Sequence, residues 1–261
     1  MKTVLAVFAH PDDESLMCGG TLARLADSGV RTIVICGSRG ERGSVSESSL
    51  VPDDGDLGDV RVAELKAAAA VLGIHELIVL DHNDGDLRWH EVLEFHTEIV
   101  AAIRTFQPDA VITFAENGLY WHLDHIGVHE RTYTAVKSFG ASAPPLYYVT
   151  MPKGLIHRLV EAARTKGGAP VDSSFWGLEP DTFGESELSN SFSIDVRPWT
   201  ARKMAALRCH RTQMGAGNPI AWIDDDDARQ WLGVEYFRRA DLGSATSQSV
   251  LEALSEPVTS S

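Results

Sequence analysis

A histidine and three carboxylates stand close together near the start of the chain. His10, Asp12, Asp13 and Glu14 directly follow a strand-sized apolar run. Repulsion and desolvation make such crowding of carboxylates costly unless a cation is bound. An imidazole beside a carboxylate is also a common part of sites for Zn²⁺ and similar ions. The segment therefore predicts a metal site, with a plain acidic loop as the alternative.

A second group of candidate residues lies between residues 120 and 129. Tyr120, His122, Asp124 and His125 form a compact run, and His129 follows four residues after His125. Histidines four residues apart share one face of a helix, an arrangement found in two-histidine metal sites. A histidine-rich helix start without a metal is the alternative.

The elements around these two groups are expected to bring them together. Apolar runs typical of buried parallel strands occur at Thr3–Ala9, Arg31–Cys36, Glu76–Leu80, Ala110–Phe114 and Leu146–Val149. Helical patterns lie between them, at Gly19–Ser28, Asp59–Leu72, His90–Phe106 and Asp124–Phe139. This alternation predicts an α/β fold, a Rossmann-like three-layer sandwich with a mostly parallel central sheet. In that order the first and fourth strands are neighbours, and ligands bind beyond their carboxyl ends.

We expect one domain over residues 1–243. Residues 1–150 would form the Rossmann-like core that carries the metal site, and residues 151–243 a C-terminal extension. Within the extension the sequence predicts a loop at Lys166–Glu187, an edge strand at Ser191–Val196, a basic helix at Arg197–Arg211 and a short helix starting in Asp224–Asp227. The Ser/Thr-rich residues 244–261 predict a flexible tail.

Composition and charge exclude several classes of function. The 261 residues carry a formal net charge of −14, which argues against nucleic acid or an anionic membrane surface as a partner. No apolar stretch approaches the ~20 residues of a membrane span, so membrane insertion is not expected. Three cysteines without a CxxC pair suit a reducing cytoplasm. No GxGxxG motif follows the first strand, which counts against a dinucleotide cofactor.

The two groups also carry a resemblance. Ala9–Glu14 (AHPDDE) and His122–His125 (HLDH) resemble the motifs of the PIG-L/LmbE-type zinc-dependent de-N-acetylase family. Further matching segments are Ser38–Gly43, Arg61–Glu64, Leu72–Ile74 and Cys209–Gln213. Leu123 departs from the family pattern, in which many members have proline.

The resemblance implies a metal-ligand set. His10, Asp13 and His125 would hold Zn²⁺, and three protein ligands leave a coordination position for water and substrate. Fe²⁺ and Co²⁺ could use the same two histidines and one aspartate.

The resemblance implies catalytic roles as well. Asp12 would be the general base that takes a proton from the attacking water. His122 would stabilise the oxyanion or protonate the leaving amine. Asp124 would orient a histidine through a hydrogen bond, and Tyr120 would assist at the acyl carbon.

Substrate contacts are expected from three further residues. Glu41 and Arg61 match family positions near sugar hydroxyls, and Asp81 starts a loop that could face the sugar. A solvated position is the alternative for each of them. The acidic loops predict a neutral or weakly charged substrate. The sequence leaves open whether the chain forms a homo-oligomer, and it leaves open the roles of His82, His129 and His210.

The expected function is removal of an N-acetyl group from an N-acetylglucosamine-type amino sugar or its glycoside. Two alternatives stay open at this point. One is an amidase acting on a related N-acyl glucosaminide such as a thiol conjugate. The other is a sugar- or nucleotide-binding Rossmann-like module without catalysis, against which the complete set of motif residues argues.

Overall fold

Strands and helices alternate through the first 150 residues, as the sequence predicts. The computed structural model describes residues 1–47, 50–52, 55–167, 178–186, 191–215, 217–242 and 249–254. In chain order its elements are β1 (Thr3–Phe8), α1 (Asp13–Asp27), β2 (Arg31–Ser38), α2 (Leu57–Leu72), β3 (Glu76–His82), α3 (Val92–Phe106), β4 (Ala110–Phe114), α4 (Gly118–Trp121), α5 (Leu123–Lys137), β5 (Leu146–Thr150), α6 (Leu155–Thr165), β6 (Ser191–Asp195), α7 (Thr200–Cys209), α8 (Asp225–Trp231) and β7 (Val234–Arg239).

The strands of the described residues form one sheet in the order β3-β2-β1-β4-β5-β7-β6. β1 pairs in parallel with both β2 and β4. β7 runs antiparallel to β5, and β6 antiparallel to β7, which places β6 at an edge. The predicted α/β fold with a mostly parallel sheet is therefore confirmed, and the first and fourth strands are neighbours.

Helices cover both faces of the sheet. α1, α2 and α7 pack against one another, and α3 packs against α5. Right-handed crossovers place these two groups on opposite faces, because the chain reverses its direction across the sheet after β3. The apolar residues of β1 are consequently buried on both sides. Among the described residues, no helix has the length and apolar character needed to cross a membrane.

Two boundaries near the candidate residues differ from the prediction. α1 begins at Asp13 rather than Gly19, with a kink at Cys18. The carboxylates of its first turn interact favourably with the positive end of the helix dipole. This turn, however, lacks the apolar periodicity from which a helix is predicted in a sequence. β3 continues to His82, two residues beyond the predicted end.

The second half contains two elements that the sequence analysis missed, α6 and β7. α6 buries Leu155, Leu159 and Val160 on one face, a helical pattern readable in sequence. The basic helix is α7, and its Lys203 is buried in an ion pair with Glu235, with a nitrogen–oxygen distance of 2.7 Å. That helix is therefore part of the core rather than a solvated basic face.

Parts of the predicted loop at 166–187 and of the tail at 244–261 lie outside the described residues. Within the tail, residues 249–254 pack on the sheet rather than extending freely. Leu251 is buried, and Ser249 accepts a hydrogen bond of 2.6 Å from the hydroxyl of Tyr147. The division into core and extension stays a prediction.

His82 ties the end of β3 to α3. Its Nδ1 lies 2.8 Å from a carboxylate oxygen of Glu91, and its Nε2 lies 2.6 Å from one of Glu98. Burial opposes protonation of the ring, but the two glutamates raise the pKa of His82 above its usual value. The imidazole thus bridges two carboxylates.

Replacing His82 should therefore destabilise the protein more in mild acid than in base. A raised folded-state pKa gives stability that is fully present below the unfolded value of ~6.5 and is lost as pH rises through the folded value. We expect His82→Gln to lower the free energy of unfolding by about 1 kcal/mol at about pH 5.5 and by less at about pH 9. The loss is this small because both glutamates are partly exposed. Urea unfolding at both pH values measures this. The exposed histidine of α6 supplies the control, His157→Gln, and an equal loss at both pH values for His82→Gln would contradict the ion-pair account.

Candidate active site

The two residue groups meet at the carboxyl ends of β1 and β4. The chain leaving β1 carries His10 and passes through Asp12 into α1, while the chain leaving β4 passes through the short α4 into α5. A cavity of 440 Å³ opens between them. Its lining residues are His10, Asp12, Asp13, Arg42, Gly43, Ser44, Arg61, Asp84, Tyr120, His122, His125, Leu178 and Gln213. This volume can take a sugar residue.

Three donor groups at the bottom of the cavity form a triangle. Nδ1 of His10 lies 3.4 Å from Nε2 of His125. One oxygen of Asp13 lies 3.6 Å from Nδ1 of His10, and the other lies 3.4 Å from Nε2 of His125. Ligands at ~2.0–2.1 Å from a tetrahedral Zn²⁺ stand about 3.3 Å apart. The predicted donor set therefore fits a small divalent cation.

Hydrogen bonds at the opposite ring atoms prepare both histidines as ligands. Nε2 of His10 lies 3.0 Å from Oδ2 of Asp124 and 3.2 Å from Oδ1 of Asp84. Nδ1 of His125 lies 3.2 Å from the carbonyl oxygen of Gly118. Because Nε2 of His10 and Nδ1 of His125 face acceptor oxygens, a metal would bind at Nδ1 of His10 and Nε2 of His125, once any proton there is released.

Local backbone geometry places the Gly118 carbonyl beside His125. Gly118 has a φ of +56°, and a Cβ there would lie 2.9 Å from the backbone nitrogen of Ile126. Only glycine fits so close to α5 in this conformation. The turn therefore holds the carbonyl that fixes the His125 tautomer.

Asp124 connects His10 to the loop after β3. It is fully buried, and beyond its contact with His10 it accepts backbone N–H bonds from Gly85 and Leu87, at 2.7 and 3.0 Å. The orienting role predicted for Asp124 thus concerns His10. The loop after β3 is fixed at the same time.

The electrostatics of the ligand group are dominated by burial and mutual attraction. Burial opposes protonation of His10, but Asp124 and Asp84 raise its pKa to about 10. Burial raises the pKa of Asp13 to about 7 despite the attraction of His10. Burial and the neighbouring His10 charge hold the pKa of His125 well below its usual range. A bound dication would displace the protons held by His10 and Asp13.

Asp12 lines the cavity beside the ligand Asp13. Burial raises the pKa of Asp12, and the nearby Arg61 guanidinium opposes that rise. Its backbone has a φ of 116°, a left-handed conformation that is rare for a residue other than glycine. A carboxylate with a raised pKa is a stronger proton acceptor than an ordinary aspartate, which suits a general base.

His122 and Tyr120 line the wall on the α4–α5 side. Nδ1 of His122 accepts the backbone N–H of Asp124 at 3.3 Å, so the neutral ring carries its proton on Nε2. Burial and the His10 charge lower the pKa of His122, which favours this neutral donor. Burial and Asp13 raise the pKa of Tyr120, so its hydroxyl keeps its proton. Both side chains suit donation to an oxyanion.

The three predicted substrate-binding residues have different positions. Arg61 lines the cavity, and its guanidinium donates to the carbonyls of Gly40 and Pro11 at 2.9 and 2.6 Å. Glu41 accepts the backbone N–H of Asp84 at 2.8 Å and supports the loop behind the wall. Asp81 is not brought to the cavity.

The position of Asp81 follows from the longer β3. Side chains alternate along a strand, so His82 is buried while Asp81 is exposed and lies 2.9 Å from Nε of Arg39. Asp84, which the sequence analysis did not single out, takes the place in the cavity wall. Arg42 and Gln213 were missed as well. A polar loop leaving a strand shows that some side chain faces the site, but which one depends on where the strand ends.

The remaining histidines lie outside the cavity lining. Nδ1 of His129 lies 2.9 Å from the carbonyl oxygen of Phe114 and anchors α5 to β4. His210 is fully buried and contacts Glu14. Neither is a metal ligand in this geometry.

Two groupings of donor atoms among the described residues lie close enough together to hold a metal ion. Neither includes Asp13, whose two oxygens each approach a different one of the two histidines. One joins His10, His122 and His125, and the other joins His10, Asp84 and Asp124. The second grouping uses Nε2 of His10, whose distances to the carboxylates of Asp84 and Asp124 are those of hydrogen bonds. A larger cavity of 630 Å³ along α3 is mostly apolar and contains none of these donors. The triangle that includes Asp13 supplies the carboxylate charge that a dication favours.

Comparison with known sequences now decides the family. The family model described as PIG-L, GlcNAc-PI de-N-acetylase, matches residues 5–136, half of the chain. A 1D-myo-inositol 2-acetamido-2-deoxy-alpha-D-glucopyranoside deacetylase of Acidothermus cellulolyticus is 32% identical over 257 residues, covering 91% of this chain and 88% of that protein. The chain belongs to the PIG-L family. The three candidate metal ligands, His10, Asp13 and His125, fall inside the matched segment.

Solved structures share the fold. The 4-carboxy-2-hydroxymuconate hydratase GalB of Pseudomonas putida has a TM-score of 0.62 at 20% identity, covering 92% of this chain and 96% of that chain. The N,N'-diacetylchitobiose deacetylase of Pyrococcus horikoshii has a TM-score of 0.56 at 22% identity, covering 92% and 84%. The PIG-L fold thus supports more than one chemistry, and the site has to decide between them.

Metal analysis of three variants tests the ligand assignment. We expect about one divalent ion per chain in the wild type and a loss of more than about tenfold in metal affinity for His125→Ala and Asp13→Ala, because each removes a ligand. His122→Ala should keep the metal. Metal content by mass spectrometry and affinity by calorimetry measure this. Loss of the metal in His122→Ala would favour the three-histidine grouping instead.

Proposed function

We propose that this chain hydrolyses the N-acetyl amide of a neutral 2-acetamido sugar or its glycoside, with Zn²⁺ as the metal. The observation that carries the proposal is the donor triangle of His10, Asp13 and His125 beside an independent, partly buried carboxylate, Asp12. Amide hydrolysis needs an activated water, a polarised carbonyl and a proton acceptor. Two relatives, each of which matches this chain over most of its own length, are deacetylases.

The side chains have separable roles in this reaction. When bound at His10, Asp13 and His125, the metal polarises the acetyl carbonyl and lowers the pKa of water. Asp12 accepts the proton of the attacking water. The Nε2 proton of His122 and the hydroxyl of Tyr120 then stabilise the negative charge that develops on the acetyl oxygen.

The mechanism also needs a proton for the departing amine. Asp12 holds the water proton after attack and lines the same cavity, so it can return that proton to the nitrogen. Asp124 keeps His10 in place throughout, because its bonds to Gly85 and Leu87 prevent the carboxylate from turning away.

The charge of the site supports a substrate without negative charge. Asp12, Asp13 and Asp84 line the cavity together with Arg42, Arg61 and the ring of His10. The Arg61 guanidinium is already used by two carbonyls and by Asp12. An anionic substrate group would therefore find few cationic donors in the described lining that are not already paired.

Asp12→Asn separates catalysis from metal binding. The amide cannot accept the water proton, so kcat should fall by a factor of about 10²–10⁴, while metal content stays at the wild-type level. Acetate release and amine formation from N-acetylglucosamine glycosides measure the rate. Wild-type turnover in Asp12→Asn would exclude this residue as the base.

A substrate series tests the charge argument. Free N-acetylglucosamine, its inositol glycoside and chitooligosaccharides should be deacetylated with kcat/KM at least about tenfold above that of a phosphorylated counterpart. Preference for the phosphorylated sugar would contradict the proposal. Faster cleavage of a larger N-acyl glucosaminide would instead favour the amidase alternative.

A further inference from the structure

The carboxylate of Asp12 stands on strained backbone. Its φ of 116° and ψ of −26° are unfavourable for a residue with a Cβ, and such conformations persist only where the surroundings enforce them. The Asp12 carbonyl accepts the N–H groups of Ser15 and Leu16 in the first turn of α1. These bonds explain the direction of the carbonyl but not that of the Asp12 N–H.

Glu14 holds the other side of the Asp12 peptide. Its Oε2 accepts the Asp12 N–H at 3.1 Å, two residues back along the chain. The Glu14 side chain is almost fully buried, so solvent does not compete for this bond. A buried carboxylate requires partners for its remaining lone pairs.

His210 and Ser15 supply those partners. Nε2 of His210 lies 3.0 Å from Oε1 of Glu14, and the Ser15 hydroxyl donates to the same oxygen. His210 is completely buried, and its Nδ1 has no hydrogen-bond partner among the described residues. Burying an imidazole with one nitrogen unsatisfied costs free energy. The hydrogen bond to Glu14 offsets part of that cost.

The segment that carries His210 is itself fixed to the site. The N–H and hydroxyl of Thr212 donate to the Glu64 carboxylate of α2, at 2.9 and 2.7 Å. Gln213, the next residue, lines the cavity. All of these residues except Glu64 lie beyond residue 136, where the family match ends.

We propose that Glu14 and His210 are positioning residues, a buried bridge by which the C-terminal extension holds the backbone of Asp12 in its left-handed conformation. This inference rests on the proposed role of Asp12 as base. Neither side chain lines the cavity or belongs to the donor triangle, so the bridge acts on the reaction through Asp12. The alternative is a buried polar pair that contributes to folding alone.

Kinetics of His210→Ala distinguish these two accounts. Without its partner the Glu14 carboxylate can turn away and release the Asp12 N–H, and a misplaced base slows proton transfer. We expect kcat to fall by about 10–100-fold, with KM changed by less than about threefold and metal content unchanged. His210→Gln can still donate to Glu14 and should recover at least about a tenth of the wild-type kcat. Glu14→Ala should match His210→Ala, and the double variant should add little further loss.

Lys203→Met is the matched control. Lys203 lies on α7, the helix that ends just before His210, and is also buried. It forms an ion pair with Glu235, which in turn accepts the backbone N–H groups of Gly20 and Thr21 in α1. It has no contact with Asp12. The variant should lower the melting temperature without lowering kcat at a temperature where the protein stays folded.

Crystal structures of the wild type and of His210→Ala give a readout that does not require activity. The proposal predicts that Asp12 leaves its positive φ in the variant while His10, Asp13 and His125 stay in place. An unchanged Asp12 conformation, or a folded His210→Ala with wild-type kcat, would overturn the bridge. Absence of turnover in the wild type on every N-acetyl sugar would overturn the proposed function instead, and the Asp12 conformation would still decide on the bridge.

Discussion

The structure depends on one electrostatic constraint, the concentration of carboxylates around His10. Three acidic side chains, Asp13, Asp84 and Asp124, lie within 3.6 Å of its two ring nitrogens in a buried setting. Acids so close together repel one another and lose hydration, so they need positive charge among them. The site satisfies that need with a protonated His10. A dication bound at Nδ1 of His10 and Nε2 of His125 would satisfy it more fully.

The same constraint explains how three strands are joined. Asp124 starts α5 after β4, contacts His10 at the end of β1, and accepts backbone bonds from the loop after β3. One buried carboxylate thereby aligns the segments that supply ligands, wall and loop. Since these segments are distant in sequence, the site exists only when the parallel sheet is assembled.

The sequence predicts the core of this arrangement well. Uninterrupted apolar runs indicate strands buried on both faces, and the position of His10 and Asp13 after the first strand and His125 after the fourth indicates a shared site. Because the first and fourth strands are neighbours in the sheet, these residues lie close together although they are distant in sequence. The cytoplasmic location stays a prediction, and the oligomeric state stays open.

What the sequence could not predict depends on strand ends and long-range contacts. Asp81 and Asp84 are equally plausible from the loop sequence, and only the extent of β3 decides which one faces the cavity. The partner of Glu14 comes from the other end of the chain, and nothing local to His210 indicates that it would reach α1. The left-handed backbone of Asp12 has no sequence signal either, because aspartate is not a residue that requires a positive φ.

The most direct test of the central claim is a metal titration of chelator-treated protein, followed by acetate release from an N-acetylglucosamine glycoside. Deacetylation should be absent without metal and should rise in proportion to added Zn²⁺ until about one ion is bound per chain. Full deacetylation by protein shown to be metal-free, or no deacetylation at any metal occupancy, would contradict it.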